Sequence, residues 1–109
     1  MRIIKIYNPE EFRAELVREG ITELRRDYVR RTKDGKFGPV SYGFLVLTAE
    51  KDGTIYRHEE EIFAASAIFW DNDEKTQKRI LEARERAERW LQEFFKGFTI
   101  RPGIIVISR

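Results

Sequence analysis

The stretch Val40-Ser41-Tyr42-Gly43-Phe44-Leu45-Val46-Leu47-Thr48-Ala49 is the most strongly β-forming part of the chain, and its pattern sets the fold problem. Alternate side chains of a strand face opposite ways, so Tyr42, Phe44 and Val46 share one face while Leu45 and Leu47 share the other. A strand covered on one side alternates apolar with polar residues; this one is apolar or aromatic on both. Something must therefore cover the second face, or bind to it. Turns bracket the strand at Lys33-Asp34-Gly35-Lys36 and Glu50-Lys51-Asp52-Gly53, the latter carrying the Asp-Gly signal of a tight hairpin. With residues 24–32 before it and 54–62 after it, the stretch is the middle of an antiparallel meander.

Working outward, residues 2–7 read as a short β-branched strand with Ile3, Ile4 and Ile6. Asn8 is an N-cap, Pro9 suits the first helical position and Glu11 stands where a capping carboxylate reaches back. The helix over 9–19 puts Phe12, Leu16 and Val17 on one face, and Gly20 ends it. Beyond the meander, residues 63–70 are an apolar segment read as a short helix or irregular chain. Asp71-Asn72-Asp73 then caps the longest helix, 74–96, whose Ile80, Ala83, Ala87, Trp90, Leu91 and Phe94 follow the helical period. Gly97 stops it. Residues 98–101 and 104–108 are strand material interrupted by Pro102-Gly103. The order β-α-β-β-β-α-β predicts one α+β domain over 1–109, with an antiparallel or mixed sheet of about five strands and helices chiefly on one face.

Composition narrows the chemistry. The 109 residues include no cysteine and one histidine, His58, which excludes disulfides, zinc–thiolate centres, cysteine nucleophiles and any site needing two histidines. Charged residues make up 37%, yet 21 cations nearly cancel 19 acids to leave +2. Dense Glu, Lys and Arg with few thermolabile side chains is the pattern of a thermophile protein, archaeal or bacterial. No apolar run is long enough to span a membrane, and the first residues lack a secretory signature, so the reading is cytoplasmic.

No glycine-rich phosphate loop, nucleophile elbow or paired histidines are present, and neither catalysis nor a cofactor is expected. In His58-Glu59-Glu60-Glu61, alternation puts His58 and Glu60 on one face and Glu59 and Glu61 on the other, too few ligands on either for a metal. Asp34-Gly35-Lys36 imitates an element of metal-dependent nucleases but lies in a turn, where Asp and Gly need no functional reason.

Binding has better support. From Arg25 to Phe44 six cations (Arg25, Arg26, Arg30, Arg31, Lys33, Lys36) face two acids, and Tyr28, Phe37, Tyr42 and Phe44 are interleaved with them. Cations neutralise phosphates while aromatic faces stack on unpaired bases, which suits single strands better than duplex. Residues 50–63 are the reverse, five acids against two cations. The structural alternative is an Arg–Glu ion-pair network over core aromatics. A third reading is a protein-interaction or homodimerisation module. Trp90, Leu91, Phe94, Phe95 and Phe98 are more aromatic surface than one helix face covers, so Phe95 or its neighbour is expected to protrude.

A small, cysteine-free, Arg/Glu-rich domain of meander plus long helix, with a basic aromatic sheet, resembles the ThermoDBP and ThermoDBP-related proteins of hyperthermophilic archaea. The resemblance spans most of the chain and is architectural. It implies a single-stranded DNA binding protein in which a small antiparallel sheet and helices form a cleft for the bases. Arg25, Arg26, Tyr28, Arg30, Tyr42 and Phe44 match such a cleft; the C-terminal zipper of part of that family has no counterpart here. The expected partner is single-stranded DNA, with RNA as the alternative.

Overall fold

A computed structural model describes residues 1–108; Arg109 lies outside the described residues. In chain order the elements are β1 (Arg2–Lys5), α1 (Pro9–Arg18), β2 (Glu23–Gly35), β3 (Gly38–Lys51), β4 (Thr54–Ser66), α2 (Ala67–Asn72), α3 (Glu74–Phe94) and β5 (Thr99–Ile105). The strands form one sheet in the order β1-β4-β3-β2-β5. The meander β2-β3-β4 is antiparallel, while β1 joins β4 and β5 joins β2 in parallel. The fold is α+β with a mixed, open sheet.

Local signals act as expected at the caps. Asn8 Oδ1 accepts the Glu11 N–H at 3.0 Å, and Asp73 Oδ2 accepts the Thr76 N–H at 2.9 Å. Asp52 and Gly53 both take positive φ, 51° and 78°, in the hairpin between β3 and β4. Three boundaries differ from the sequence reading. Lys33-Asp34-Gly35 is not turn but the end of β2, paired with β3 as far as Gly35↔Gly38, so only Lys36-Phe37 remain at the hairpin tip. Residues 63–66 continue β4, because a register shift at Gly43/Phe44 keeps the strand paired as far as Val40↔Ser66, and α2 starts only at Ala67. The last strand is not broken at Pro102-Gly103. Asp27 Oδ1 accepts the Ile104 N–H at 2.7 Å and carries the chain past a register shift between Arg26 and Tyr28. A Cβ on Gly103 would lie 2.0 Å from that same oxygen, so a side chain there would push the Asp27 carboxylate away from Ile104. Pro102 sits on the sheet edge, where a missing N–H costs least.

The core lies on one side of the sheet. Phe12 and Leu16 of α1 and Ile80, Ala87 and Leu91 of α3 pack with Leu24, Tyr28, Leu45, Leu47 and Tyr56. His58 is buried there, stacked 5.5 Å from Phe12. Its Nδ1 lies 2.8 Å from the Ile6 carbonyl oxygen, to which it donates, and Nε2 lies 2.7 Å from Glu60 Oε1, so the histidine ties β4 to the β1–α1 connection. Among the described residues no three His, Asp or Glu side chains are placed to hold a metal. The aromatic set at the end of α3 closes on itself: Phe95 is buried and makes edge contacts with Phe12, Trp90, Phe94 and Phe98. The expectation that Phe95 or its neighbour protrudes is therefore not met: Phe95 is buried and Phe94 is half-buried. No helix among the described residues is long and apolar enough to cross a membrane.

A polar clasp locks β2 to α3. Glu88 Oε1 accepts from Arg26 Nη1 at 2.7 Å and from the Tyr28 hydroxyl at 3.0 Å. Burial, then the Glu88 charge, push the Tyr28 hydroxyl well above its usual range. Replacing Glu88 by Ala leaves Arg26 Nη1 without its carboxylate and the Tyr28 hydroxyl with only the Arg84 carbonyl, 3.5 Å away, in a largely buried place. Chemical denaturation should show a loss of about 1–3 kcal/mol, and a smaller loss for Glu88→Gln, which still accepts.

Candidate nucleic-acid interface

Both helices that cross the sheet lie on the Leu45/Leu47 side, so the Tyr42/Phe44 side has no helix over it. The register places the outward side chains. Arg25, Asp27, Val29, Arg31 and Lys33 of β2 lie opposite Thr48, Val46, Phe44, Tyr42 and Val40 of β3. Arg57, Glu59, Glu61 and Ala64 of β4 lie opposite Thr48, Val46, Phe44 and Tyr42. Tyr42 and Phe44 are half-buried, and Val46 is buried between Asp27 and Glu59.

At the centre of this open face three cations converge on one carboxylate. Arg31 holds Glu59 with both guanidinium nitrogens, at 2.5 and 3.1 Å. Arg57 Nε donates to Glu59 Oε2 at 2.7 Å, and Lys5 Nζ stands 3.8 Å from the same oxygen. The cluster thus keeps a local charge of +2, three cations against one anion. The Arg31 guanidinium also lies 4.7 Å from the Phe44 ring centroid, and the side chain is partly exposed. Toward the β3–β4 hairpin end lies a depression of about 680 Å³, lined in part by Arg25, Thr48, Glu50, Lys51 and Arg101.

The ten residues read from the sequence divide into three sets. Arg26, Tyr28 and Arg30 face the helices and are corrections. Tyr28 is in the core and Arg26 is spent on Glu88. Arg30 is held by Asp71 at 2.5 and 3.3 Å and by Ser41 Oγ at 2.9 Å, with its guanidinium 5.1 Å from the Trp70 ring. Alternation makes this unavoidable, because a strand cannot show Arg25 and Arg26, or Arg30 and Arg31, to one ligand. Arg25, Arg31, Tyr42 and Phe44 share the open face. Lys33 stands at its end, and Lys36 and Phe37 form the tip of the β2–β3 hairpin. Sequence reasoning missed Lys5 and Arg57, because one lies in a distant strand and the other in an acidic segment. The alternation of Arg57 and Glu59 with His58 was the available signal for Arg57; nothing local places Lys5 beside them.

Hydrogen bonds from Arg31, with further ones from Arg57, hold the Glu59 carboxyl down at about 2 from an ordinary 4.5, against the opposing effect of burial. A carboxyl that is more acidic folded than unfolded stabilises fully above its ordinary value, and that contribution drains away as pH falls toward the folded value. The urea midpoint should therefore drop as pH is lowered from 4.5 to 2. Glu59→Gln should drop less steeply over the same interval; equal slopes would show that Glu59 is not held by the cluster.

Comparison with protein-family models, with curated proteins and with solved structures gives no match to this chain.

Proposed function

We propose that the open sheet face binds single-stranded nucleic acid, DNA in the first instance, without strong sequence preference and without chemistry on it. The observation that carries the reading is the half-buried Tyr42 ring and the Arg31 guanidinium over Phe44, on a sheet face without a helix among the described residues, beside a cation cluster that one carboxylate only partly neutralises. Spacing supports a single strand. Two residues along a strand separate the rings by about 7 Å, whereas bases in duplex stack about 3.4 Å apart along each strand. A polymer laid along β3 with a base on each position must be unstacked and extended. One base meets the Tyr42 ring, the next the Arg31 guanidinium plane over Phe44, and phosphates lie toward Arg31, Arg57, Lys5, Arg25 and Lys33. The π faces of all bases serve equally, which accounts for weak sequence preference. The resemblance to ThermoDBP proteins belongs to this same proposal.

Fluorescence anisotropy with labelled dT and rU oligonucleotides and a blunt duplex tests the reading. Single strands should bind more tightly than duplex; equal or tighter duplex binding would sink it. Tyr42→Ala should weaken binding by about 1–3 kcal/mol with the salt slope unchanged, since it removes stacking and no charge. The double change Lys33→Ala, Lys36→Ala should lower the salt slope by roughly 1 to 1.4, at about 0.7 for each phosphate no longer neutralised, with little effect on thermal stability.

A further inference from the structure

The β2–β3 hairpin extends past the rest of the sheet. The last β3–β4 pair is Val40↔Ser66, and the last residue of β5 is paired with Tyr28. From Asp34 to Pro39 the hairpin is paired only with itself, through Asp34↔Pro39 and Gly35↔Gly38. Its tip is tight. A Cβ on Gly35 would stand 2.8 Å from the Gly38 carbonyl oxygen, Gly38 takes φ +121°, and Pro39 fixes the next φ. The two glycines are explained by this geometry. The residues between them, Lys36 and Phe37, are not.

Phe37 is 95% exposed, more than any other large apolar side chain among the described residues. It packs on nothing except the Lys36 ammonium, 5.6 Å from its ring centroid. An aromatic ring so exposed at the end of a projecting hairpin buries almost no surface on folding. Neither Lys33 nor Lys36 forms an ion pair among the described residues, so the tip sets an exposed ring beside two lysines, with Asp34 as the one carboxylate of the hairpin end. An apolar surface ringed by cations is complementary to a base pair bordered by phosphates.

Resting on the single-strand reading of the open face, we infer that the hairpin tip recognises the junction where a single strand enters duplex, with Phe37 stacking on the last base pair. Gly38 and Tyr42 are four residues apart on β3, about 13 Å, room for about two extended nucleotides at the spacing of the open face. A strand lying on Tyr42 and Arg31 thus reaches its first base pair at Phe37, while Lys33 and Lys36 meet the phosphates on either side. A ring inserted or stacked at a base step is an established way for proteins to hold a discontinuity in the stack.

The test compares anisotropy on three DNAs: a dT oligonucleotide, a blunt duplex, and a duplex carrying the same dT tract as an overhang. The overhang should bind about tenfold more tightly than the dT tract alone, within the range for one stacked base. Phe37→Ala should abolish that gain and leave the dT affinity intact, and Phe37→Trp should keep the gain. Equal affinity for overhang and dT tract would overturn the junction inference while leaving the open-face reading standing. So would a junction preference that survives Phe37→Ala. Absence of all single-strand binding in the wild-type chain would remove both. A Phe37→Ala change that shifts the protein's mass in solution would put the ring at a contact between copies and overturn the inference.

Discussion

The handedness of two crossovers governs this molecule. β1, β4, β2 and β5 run parallel and only β3 opposes them. The chain leaves β1 through α1 to reach β2, and leaves β4 through α2 and α3 to reach β5; each step moves three places the same way across the order β1-β4-β3-β2-β5. A right-twisted sheet admits such connections almost only in the right-handed sense. Two right-handed crossovers running in the same direction must pass over the same face. The helices therefore share the Leu45 and Leu47 side, and the Tyr42 and Phe44 side is left open however apolar it is. The exposed aromatic face follows from connectivity.

That open face is managed by charge. Arg31 covers Phe44 with its guanidinium, and Asp27 and Glu59 flank Val46. Long basic side chains shield apolar surface with their stems while their heads stay hydrated. Glu59 gathers Arg31, Arg57 and Lys5 into one cluster, holding them in place without cancelling their charge. A surface built this way resists aggregation, because like-charged faces repel.

The opposite face uses the same residue types for a different end. Arg26 with Glu88 and Arg30 with Asp71 join the sheet to α3 and α2, each guanidinium set beside a ring, Tyr28 or Trp70. Gly43 clears space for Trp70, whose Nε1 donates to the Ile107 carbonyl at 3.1 Å. These pairs are partly shielded from water and depend on both members, so removing one leaves a charge that the core cannot solvate. Basic aromatic composition in β2 thus serves two purposes at once, divided by the pleat.

Much of the architecture was legible in the chain because its causes are local. Asn8 and Asp73 cap helices through their own side chains, Asp52-Gly53 adopts the positive φ of its turn, and Ile80 to Leu91 repeat with the helical period. The two-sided apolar pattern of β3 likewise announced a face in need of a partner. What lay beyond the sequence was every fact that depends on which strands become neighbours. The crossing of Lys5 from β1 to Glu59 on β4, the use of Asp27 to carry β5 past Pro102, and the turning of Arg26, Tyr28 and Arg30 toward the helices are such facts. Local pattern says which residues alternate, but it leaves both faces equivalent. Only the right-handed crossovers of the folded sheet made one face the core and the other a surface.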